Sequence, residues 1–423
     1  MDYAFELEEY VERRSRLAGA ALIERYNPYN LEIDTLKAKY EEDGKFFANF
    51  AQYDYLGLAN DPRVIEATCD AVRRFGPGVG ASRVVGGERS LHRTFEKTVA
   101  DFVGHYDCLN TVSGYGLNVS LIGHLLGSSD LLIFDELSHN SIQTGAELTR
   151  ASKLCFRHND MDHLEYILGS NRKKHKRVLI VAEGLYSMDG DMPDLPRLLE
   201  IKQRYGAWLM LDEAHSIGVL GKTGRGLSEH FGTDPREIEF IIGTLSKALA
   251  SCGGFVCAST NVIHWLRHTL PSFVYSVGAA PSVVAASLAV IEILKDEPGR
   301  VSKLQANSHY FASGARSRGL EVGNSAGFGI VPIQFSSKEN ALKASLMLIE
   351  RGFYIPPILQ QAVSHDKPRL RIFVSAAHNV HLIDQVLDQI ASIAFELGEI
   401  MHRRSNVVPL NPQKLAVGAP SYA

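Results

Sequence analysis

A lysine set between two apolar runs is the first residue in this chain whose surroundings suggest chemistry. Lys247 lies in Ile241-Ile242-Gly243-Thr244-Leu245-Ser246-Lys247-Ala248-Leu249, and Gly253-Gly254-Phe255-Val256 follows. An apolar strand, a Gly/Thr/Ser turn and a second apolar strand would partly desolvate that amine. Desolvation lowers an amine's pKa and frees it to form a Schiff base with a carbonyl. Thr244 can offer a hydroxyl to a phosphate. Upstream, Leu209-Met210-Leu211-Asp212-Glu213-Ala214-His215-Ser216 reads as a buried strand ending in an acidic loop. The run from Ala207 to Leu211 has no polar alternation, as in a parallel strand covered on both faces. Ligands of such sheets bind at the carboxyl ends of the strands, where Asp212 and His215 would stand. An aspartate of ordinary pKa, about 3.9, is ionised at neutral pH and can keep a pyridine nitrogen protonated. His215 could hydrogen-bond a ring hydroxyl. Together these groups suit pyridoxal phosphate (PLP), whose protonated ring is an electron sink.

Two glycine-rich segments bear on the phosphate. Ser113-Gly114-Tyr115-Gly116 lies between a strand and a helix, and the free N–H groups and dipole of a helix start make an anion site. Gly76-Pro77-Gly78-Val79-Gly80-Ala81-Ser82-Arg83, followed by Gly86-Gly87, is too glycine-dense for a regular element. It lacks the Gly-Lys-Ser/Thr ending of a nucleotide loop.

The elements that must position these residues alternate between apolar strands and amphipathic helices, the mark of an α/β sheet. Strands are expected at 107–112, 131–134, 153–156, 178–182, 207–211, 240–243 and 254–258. Helices fit between them at 89–103, 117–126, 160–168 and 195–205. From about Gly299 the order becomes helix, strand (330–335), helix (337–351), strand (369–374) and a last helix from Val380, a smaller α+β domain. The expected division is an N-terminal arm (1–48), a large domain (49–295), a small domain (296–404) and a mobile tail (405–423).

Composition excludes several classes. The 423 residues are 45% apolar and 22% charged, ordinary for a globular protein with a sizeable core. A formal net charge of -4 argues against a nucleic-acid or anionic-membrane binder. The five cysteines are scattered and lack metal-ligand spacing, so free thiols in a reducing compartment are expected, with no metal. The apolar stretch Val283–Leu294 is too short to span a bilayer and contains Glu292. The acidic start has no basic segment before an apolar core, so a cytoplasmic location is expected.

The order of motifs resembles the α-oxoamine synthases, fold-type I PLP-dependent transferases that include serine palmitoyltransferase and 8-amino-7-oxononanoate synthase. The matching segments are Ser113-Gly114-Tyr115, Asp135-Glu136-Leu137-Ser138-His139-Asn140-Ser141, Glu183-Gly184-Leu185-Tyr186-Ser187-Met188-Asp189-Gly190-Asp191, Asp212-Glu213-Ala214-His215 and Gly243-Thr244-Leu245-Ser246-Lys247. The likeness extends from Asn49-Phe50 to Ala377-His378. It implies a mostly parallel seven-stranded sheet with a smaller C-terminal domain. Lys247 would hold PLP and move the α-proton of an amino acid. Asp212 would pair with the pyridine nitrogen, and His139 would stack on the ring. Ser187 and His215 would lie near the ring hydroxyl. Thr244 and Ser113, Gly114 and Tyr115 would contact the phosphate, and Ser276 would supply a hydroxyl across a homodimer. Arg371 would bind the substrate carboxylate, a task suited to a bidentate guanidinium. Tyr53, Asp54 and Ser82 complete the expected substrate contacts.

The reaction implied is condensation of a small amino acid (serine, alanine or glycine) with an acyl thioester, losing carbon dioxide to give an α-amino ketone. Tyr53 resembles serine palmitoyltransferase and favours serine. Asn140, in place of a common alanine, and Val277-Gly278-Ala279-Ala280 depart from the family pattern. The acyl donor would be a CoA ester or an acyl-carrier protein, which the basic run Arg172-Lys173-Lys174-His175-Lys176-Arg177 could dock. Two other classes remain open: an aminotransferase on the same fold, and a non-catalytic partner subunit. Such subunits tend to lack the lysine that is present here.

Overall fold

The structure, a computed structural model, describes residues 7, 9–11, 28–29, 39–42, 45–359 and 368–400. The expected tail and most of the expected arm lie outside these residues. One compact unit runs from Tyr53 to Gln305, and the described residues before and after it make a second.

In chain order, β1 (Lys39–Glu42) and β2 (Lys45–Asn49) belong to the smaller unit. The larger unit supplies β3 (Asp107–Thr111), β4 (Leu131–Asp135), β5 (Ser152–Phe156), β6 (Val178–Glu183), β7 (Trp208–Asp212), β8 (Phe240–Thr244) and β9 (Gly254–Ala258). The smaller unit resumes with β10 (Ile330–Gln334), β11 (Phe353–Tyr354), β12 (Pro357–Ile358) and β13 (Arg369–Phe373).

β3 to β9 form one seven-stranded sheet in the order β3-β9-β8-β7-β6-β4-β5. It is parallel except for β9, which runs antiparallel to both β3 and β8. Every residue of β6 and β9 is buried, the reason their sequences show no polar alternation. Leu117, Leu121 and Ile142 from helices pack with Leu132, Leu179 and Met210 from the strands in one core cluster. Local signals set the helix ends. Helix Leu195–Tyr205 begins at Asp194, whose carboxylate accepts from the Arg197 N–H, and ends at Gly206 in the left-handed conformation.

In the smaller unit β10, β13 and β12 form an antiparallel sheet, while β2 pairs with β1 and, in parallel, with β11. Ala48 and Phe50 are buried in this unit's core with Phe311, Leu370 and Ile390. The segment just before Tyr53 therefore folds with C-terminal residues.

One expectation is corrected. Within the glycine-rich stretch, Arg83–Gly87 winds as a single π-helical turn. The N–H groups of Val85, Gly86 and Gly87 all reach the Ser82 carbonyl. A Cβ on Gly87 would lie 2.0 Å from the Ala81 carbonyl oxygen, so glycine is what lets the turn close. The buried Arg83 guanidinium anchors it to Glu88 (2.7 Å) and Glu96 (2.6 Å), and Glu96 also takes Arg267 (2.6 Å).

His158 clamps three neighbouring strand ends. Its ring nitrogens lie 2.9 Å from Asp135, at the end of β4, and 2.9 Å from Asp191, in the loop after β6, while His158 itself follows β5. Burial alone would lower the imidazole, but the two carboxylates hold it up at about 10. A histidine raised above its unfolded value of about 6.5 stabilises fully below that pH, and the contribution is lost as pH rises through the folded value. The melting-temperature gap between the wild type and His158→Gln is therefore expected to narrow between about pH 7 and about pH 10. Thermal unfolding across that range checks it.

Candidate active site

Asp212 and the turn that carries Lys247 follow the carboxyl ends of β7 and β8, which are parallel neighbours in the sheet. Asp212 closes β7 and is 5% exposed. Its Oδ1 accepts the Ala214 N–H at 3.0 Å and its Oδ2 accepts Asn118 Nδ2 at 2.7 Å. Lys247 is half-buried in the turn joining β8 to β9. That turn is fixed by Leu245 N–H to Gly253 O (3.0 Å), Ser251 N–H to Leu245 O (2.8 Å) and Ala250 N–H to Lys247 O (2.9 Å). The Lys247 ammonium is 5.9 Å from the Tyr53 ring centroid. Tyr53 stands edge-on to His215 at 6.1 Å, and the Tyr55 hydroxyl is 2.7 Å from His215 Nδ1. Lys247, Tyr53 and His215 are thus linked by ring contacts, and His215 shares the loop that follows Asp212.

The start of the helix after β3 is packed by close backbone approach. Ser113 caps helix Gly114–Leu125, its hydroxyl accepting the Gly116 N–H at 3.0 Å. A helix's first N–H groups have no partner within it and face outward. A Cβ on Gly254 would come within 2.6 Å of Gly114 Cα, and one on Gly114 within 3.0 Å of Thr244 Oγ1. Glycine at both places lets the helix start sit against Thr244. The Thr244 hydroxyl is 2.8 Å from Ser246 Oγ, so two hydroxyls stand beside that start.

His139 caps helix Asn140–Leu148. Its backbone N–H donates to Glu183 Oε1 at 2.5 Å, and its ring lies edge-on to Tyr115 at 6.2 Å. The Tyr115 hydroxyl donates to Asn140 at 2.8 Å, which gives the departure at Asn140 a structural use. Ser187 is buried in the loop that follows Glu183.

The other expected residues have the following surroundings. Asp54 takes the N–H groups of Leu58 (2.9 Å) and Ala59 (3.2 Å) and closes its own turn. The Ser82 hydroxyl donates to the Val274 carbonyl at 2.7 Å, tying the glycine-rich stretch to the segment before Ser276. Ser276 lies between Tyr275 and Val277, which are 87% and 59% exposed. Arg371, in β13 of the smaller unit, packs its guanidinium 4.7 Å from the Phe373 ring centroid. The basic run 172–177 precedes β6 and so lies at the opposite end of that strand from Glu183, on the order of 17 Å along it. Within it, Arg172 donates to the Tyr205 carbonyl and Arg177 pairs with Asp130.

Sequence reasoning gave no role to Glu183 or Asn118. Glu183 is directly opposite Asp212 in the β6–β7 register. Burial, then the neighbouring Asp212 charge, push its carboxyl up to about 8, against the lowering pull of the His139 N–H and Lys247. Next to Asp212, buried Glu213 is raised to about 7 by burial while accepting from the Ser216 hydroxyl and the Leu227 N–H. The Glu183 signal was present in the quoted motif, but only the register shows which group it faces.

A half-buried lysine, a buried carboxyl and a hydroxyl-flanked helix start at one sheet edge fit the aldehyde, ring nitrogen and phosphate of PLP. This is the arrangement of a fold-type I PLP-dependent enzyme. Comparison with known proteins agrees: residues 47–390 match the aminotransferase class I and II family. The 8-amino-7-oxononanoate synthase of Thermoanaerobacter pseudethanolicus is 36% identical over 85% of this chain and 90% of its own. The serine palmitoyltransferase of Bacteroides thetaiotaomicron is 34% identical over 86% of this chain and 92% of its own. A serine palmitoyltransferase structure with PLP as an internal aldimine superposes with a TM-score of 0.87 at 28% identity, over 95% of this chain and 100% of its own. The chain belongs to the aminotransferase class I and II family, among its α-oxoamine synthases.

A buried carboxyl raised above its unfolded value costs nothing below about pH 4.3, and the cost grows as pH rises to the folded value. Glu183→Gln is therefore expected to melt at a higher temperature than the wild type near pH 8, with the gap shrinking toward about pH 5. Melting curves at the two pH values check the sign.

Proposed function

We propose that this enzyme condenses a small L-amino acid with an acyl thioester, releasing carbon dioxide and forming an α-amino ketone. The observation that carries the reading is the meeting of Lys247, Asp212 and the Ser113–Thr244 cradle at one end of the parallel strands. PLP, when bound, supplies the electron sink that makes a proton α to the amino group labile. The Lys247 amine holds the cofactor and then takes the α-proton. Asp212 keeps the ring nitrogen protonated, and its two amide donors hold it in place. His139 would cover the ring face, and His215 and Ser187 would serve the ring hydroxyl. Thr244, Ser113, Gly114 and Tyr115 hold the phosphate. Arg371 offers a planar guanidinium to the substrate carboxylate, and Tyr53 favours serine over alanine and glycine.

The working form is a homodimer in the cytoplasm. The exposed Val84, Val85, Tyr275 and Val277, on two segments joined through the Ser82–Val274 bond, support a second copy covering this face and receiving Ser276. All five cysteines are free thiols, and among the described residues no helix is long and apolar enough to cross a membrane. The acyl donor is a CoA ester or a carrier-bound acyl group. The position of the basic run at the far end of β6 lends no support to carrier docking there.

Titrating the PLP-loaded enzyme with glycine, L-alanine and L-serine, then with an acyl thioester, tests the reading. The expected result is a shift of the visible absorbance with one amino acid, followed by carbon dioxide release when thioester is added. Lys247→Ala should lower turnover by at least about a thousandfold, the scale of losing a covalent and proton-transfer group together. Conversion to a pyridoxamine-like spectrum, reversed by a keto acid and indifferent to thioester, would make it an aminotransferase.

A further inference from the structure

Asp212 and His139 are joined by a continuous chain of hydrogen bonds through Asn118 and Ser141, buried from Asp212 to Ser141 and part-buried where it reaches the exposed His139. We infer that Asn118 and Ser141 are positioning residues that hold His139 as the neutral imidazole protonated on Nε2 and tie that state to Asp212. The inference rests on the placing of His139 and Asp212 at the cofactor site proposed above.

The direction of each bond follows from what each atom can donate. A carboxylate oxygen only accepts, so the 2.7 Å contact turns the Asn118 amide with Nδ2 toward Asp212 Oδ2. The reversed amide would set its oxygen against the carboxylate. The second Nδ2 hydrogen goes to Ser141 Oγ at 3.0 Å. Ser141 Oγ thereby accepts, and its own hydrogen is left to donate to His139 Nδ1 at 2.7 Å. The Ser141 backbone N–H approaches the same nitrogen at 3.2 Å as part of the helix cap. With two donors facing it, Nδ1 keeps a lone pair and the ring proton sits on Nε2.

Burial makes the inner part of the chain directional. Asn118 is 3% exposed, Ser141 1% and Asp212 5%, so between them bulk water does not readily replace a lost partner, whereas the His139 ring itself is open to solvent. The Asn118 Oδ1 atom is itself buried without a partner. The amide leaves its acceptor unsatisfied while both hydrogens serve Asp212 and Ser141. That cost suits a residue placed to orient its neighbours rather than to stabilise itself. The residues bridge three elements: helix Gly114–Leu125, the start of helix Asn140–Leu148 and the end of β7.

Other titratable groups also face His139. Tyr115 lies edge-on at 6.2 Å, and Glu183 holds the backbone N–H while itself feeling Asp212 and Lys247. None of these is altered in the variants below.

The test is nitrogen-15 NMR of the histidine-labelled, PLP-loaded enzyme, with the His139 signals assigned by their loss in His139→Gln. The wild type is expected to show a bare Nδ1 and a protonated Nε2. In Ser141→Ala the His139 titration should move up by about half to one pH unit, the effect of one neutral hydrogen bond. Asn118→Leu should produce a similar shift although it does not touch His139, because it frees Ser141 Oγ to accept from a protonated Nδ1. In the Ser141→Ala background Asn118→Leu should add nothing, the sign of a shared path. A merely structural role for Asn118 would leave the His139 titration in place. That result, additive shifts, or a wild-type Nδ1–H tautomer would overturn the inference. Melting temperatures verify folding, and Asn118→Ala replaces Asn118→Leu if the larger apolar side chain does not fold. Failure of the His139 signals to respond to PLP loading would count against the cofactor site, while the tautomer and its response to Asn118 still decide the relay.

Discussion

Two carboxyl groups buried side by side set the terms for this site. The parallel register of β6 against β7 places Glu183 opposite Asp212 at the point where both strands end. Like charges so close, in a region that water does not screen, are costly unless one is neutralised and the other is met by donors. Both conditions hold. Glu183 is pushed toward its protonated form, and Asp212 receives the Asn118 amide and the Ala214 N–H. The helix after β3 is therefore held to the end of β7 by a polar bond as well as by its apolar face. The cap of helix Asn140–Leu148 is joined to the same group through Ser141 and to Glu183 through the His139 N–H. Apolar packing builds the sheet, but these donors determine which loops gather at its edge.

The polar clamps beyond the site follow the same logic. His158 between Asp135 and Asp191 joins the ends of β5, β4 and β6, and Glu96 gathers Arg83 and Arg267 beneath the π turn. Each buried charge has an opposite charge in contact, and each cluster fixes a loop rather than a regular element. Such pairs contribute little net stability compared with apolar packing, yet removing one partner exposes the full desolvation cost of the other. They hold loops in place where packing alone would permit several arrangements.

Much of this was legible along the chain. All seven strands of the large sheet were expected within a residue or two of where they form, and β6 and β9 are plainest because a strand buried on both faces leaves an unbroken apolar run. Lys247 and Asp212 stood out as single polar groups at the ends of such runs. Asn118 did not, since its bond to Asp212 spans 94 residues and nothing local marks an asparagine on a helix as a ligand to a distant carboxyl. Asp54 and Ser82 show the converse. Their side chains were expected to contact substrate, and the chain alone did not show the backbone groups that they also meet. The π turn at Arg83–Gly87 was hidden because glycine density signals irregular backbone, whereas here it makes room for three N–H groups to converge on one carbonyl. β2 joined the smaller unit through a parallel pairing with β11, a partner some three hundred positions away that no local pattern announces.

The reversal of β9 has a consequence for how the chain assembles. β3 is made first among the strands of the large sheet, yet it pairs with β9, and five other strands intervene in sequence. Until β9 has left the ribosome, β3 has no ladder to join, and the helix start that follows it has no Gly254 to rest against. The lysine turn is closed by the same late strand. The sheet must therefore wait for a long-range contact of high entropic cost before its edge is finished, and the packing of Gly254 against the Gly114 helix start and the closure of the lysine turn come in that single event. A nascent chain that ends before Gly254 would hold Asp212, Thr244 and Lys247 but not the closed turn, so these residues reach their final arrangement only when the domain is nearly whole.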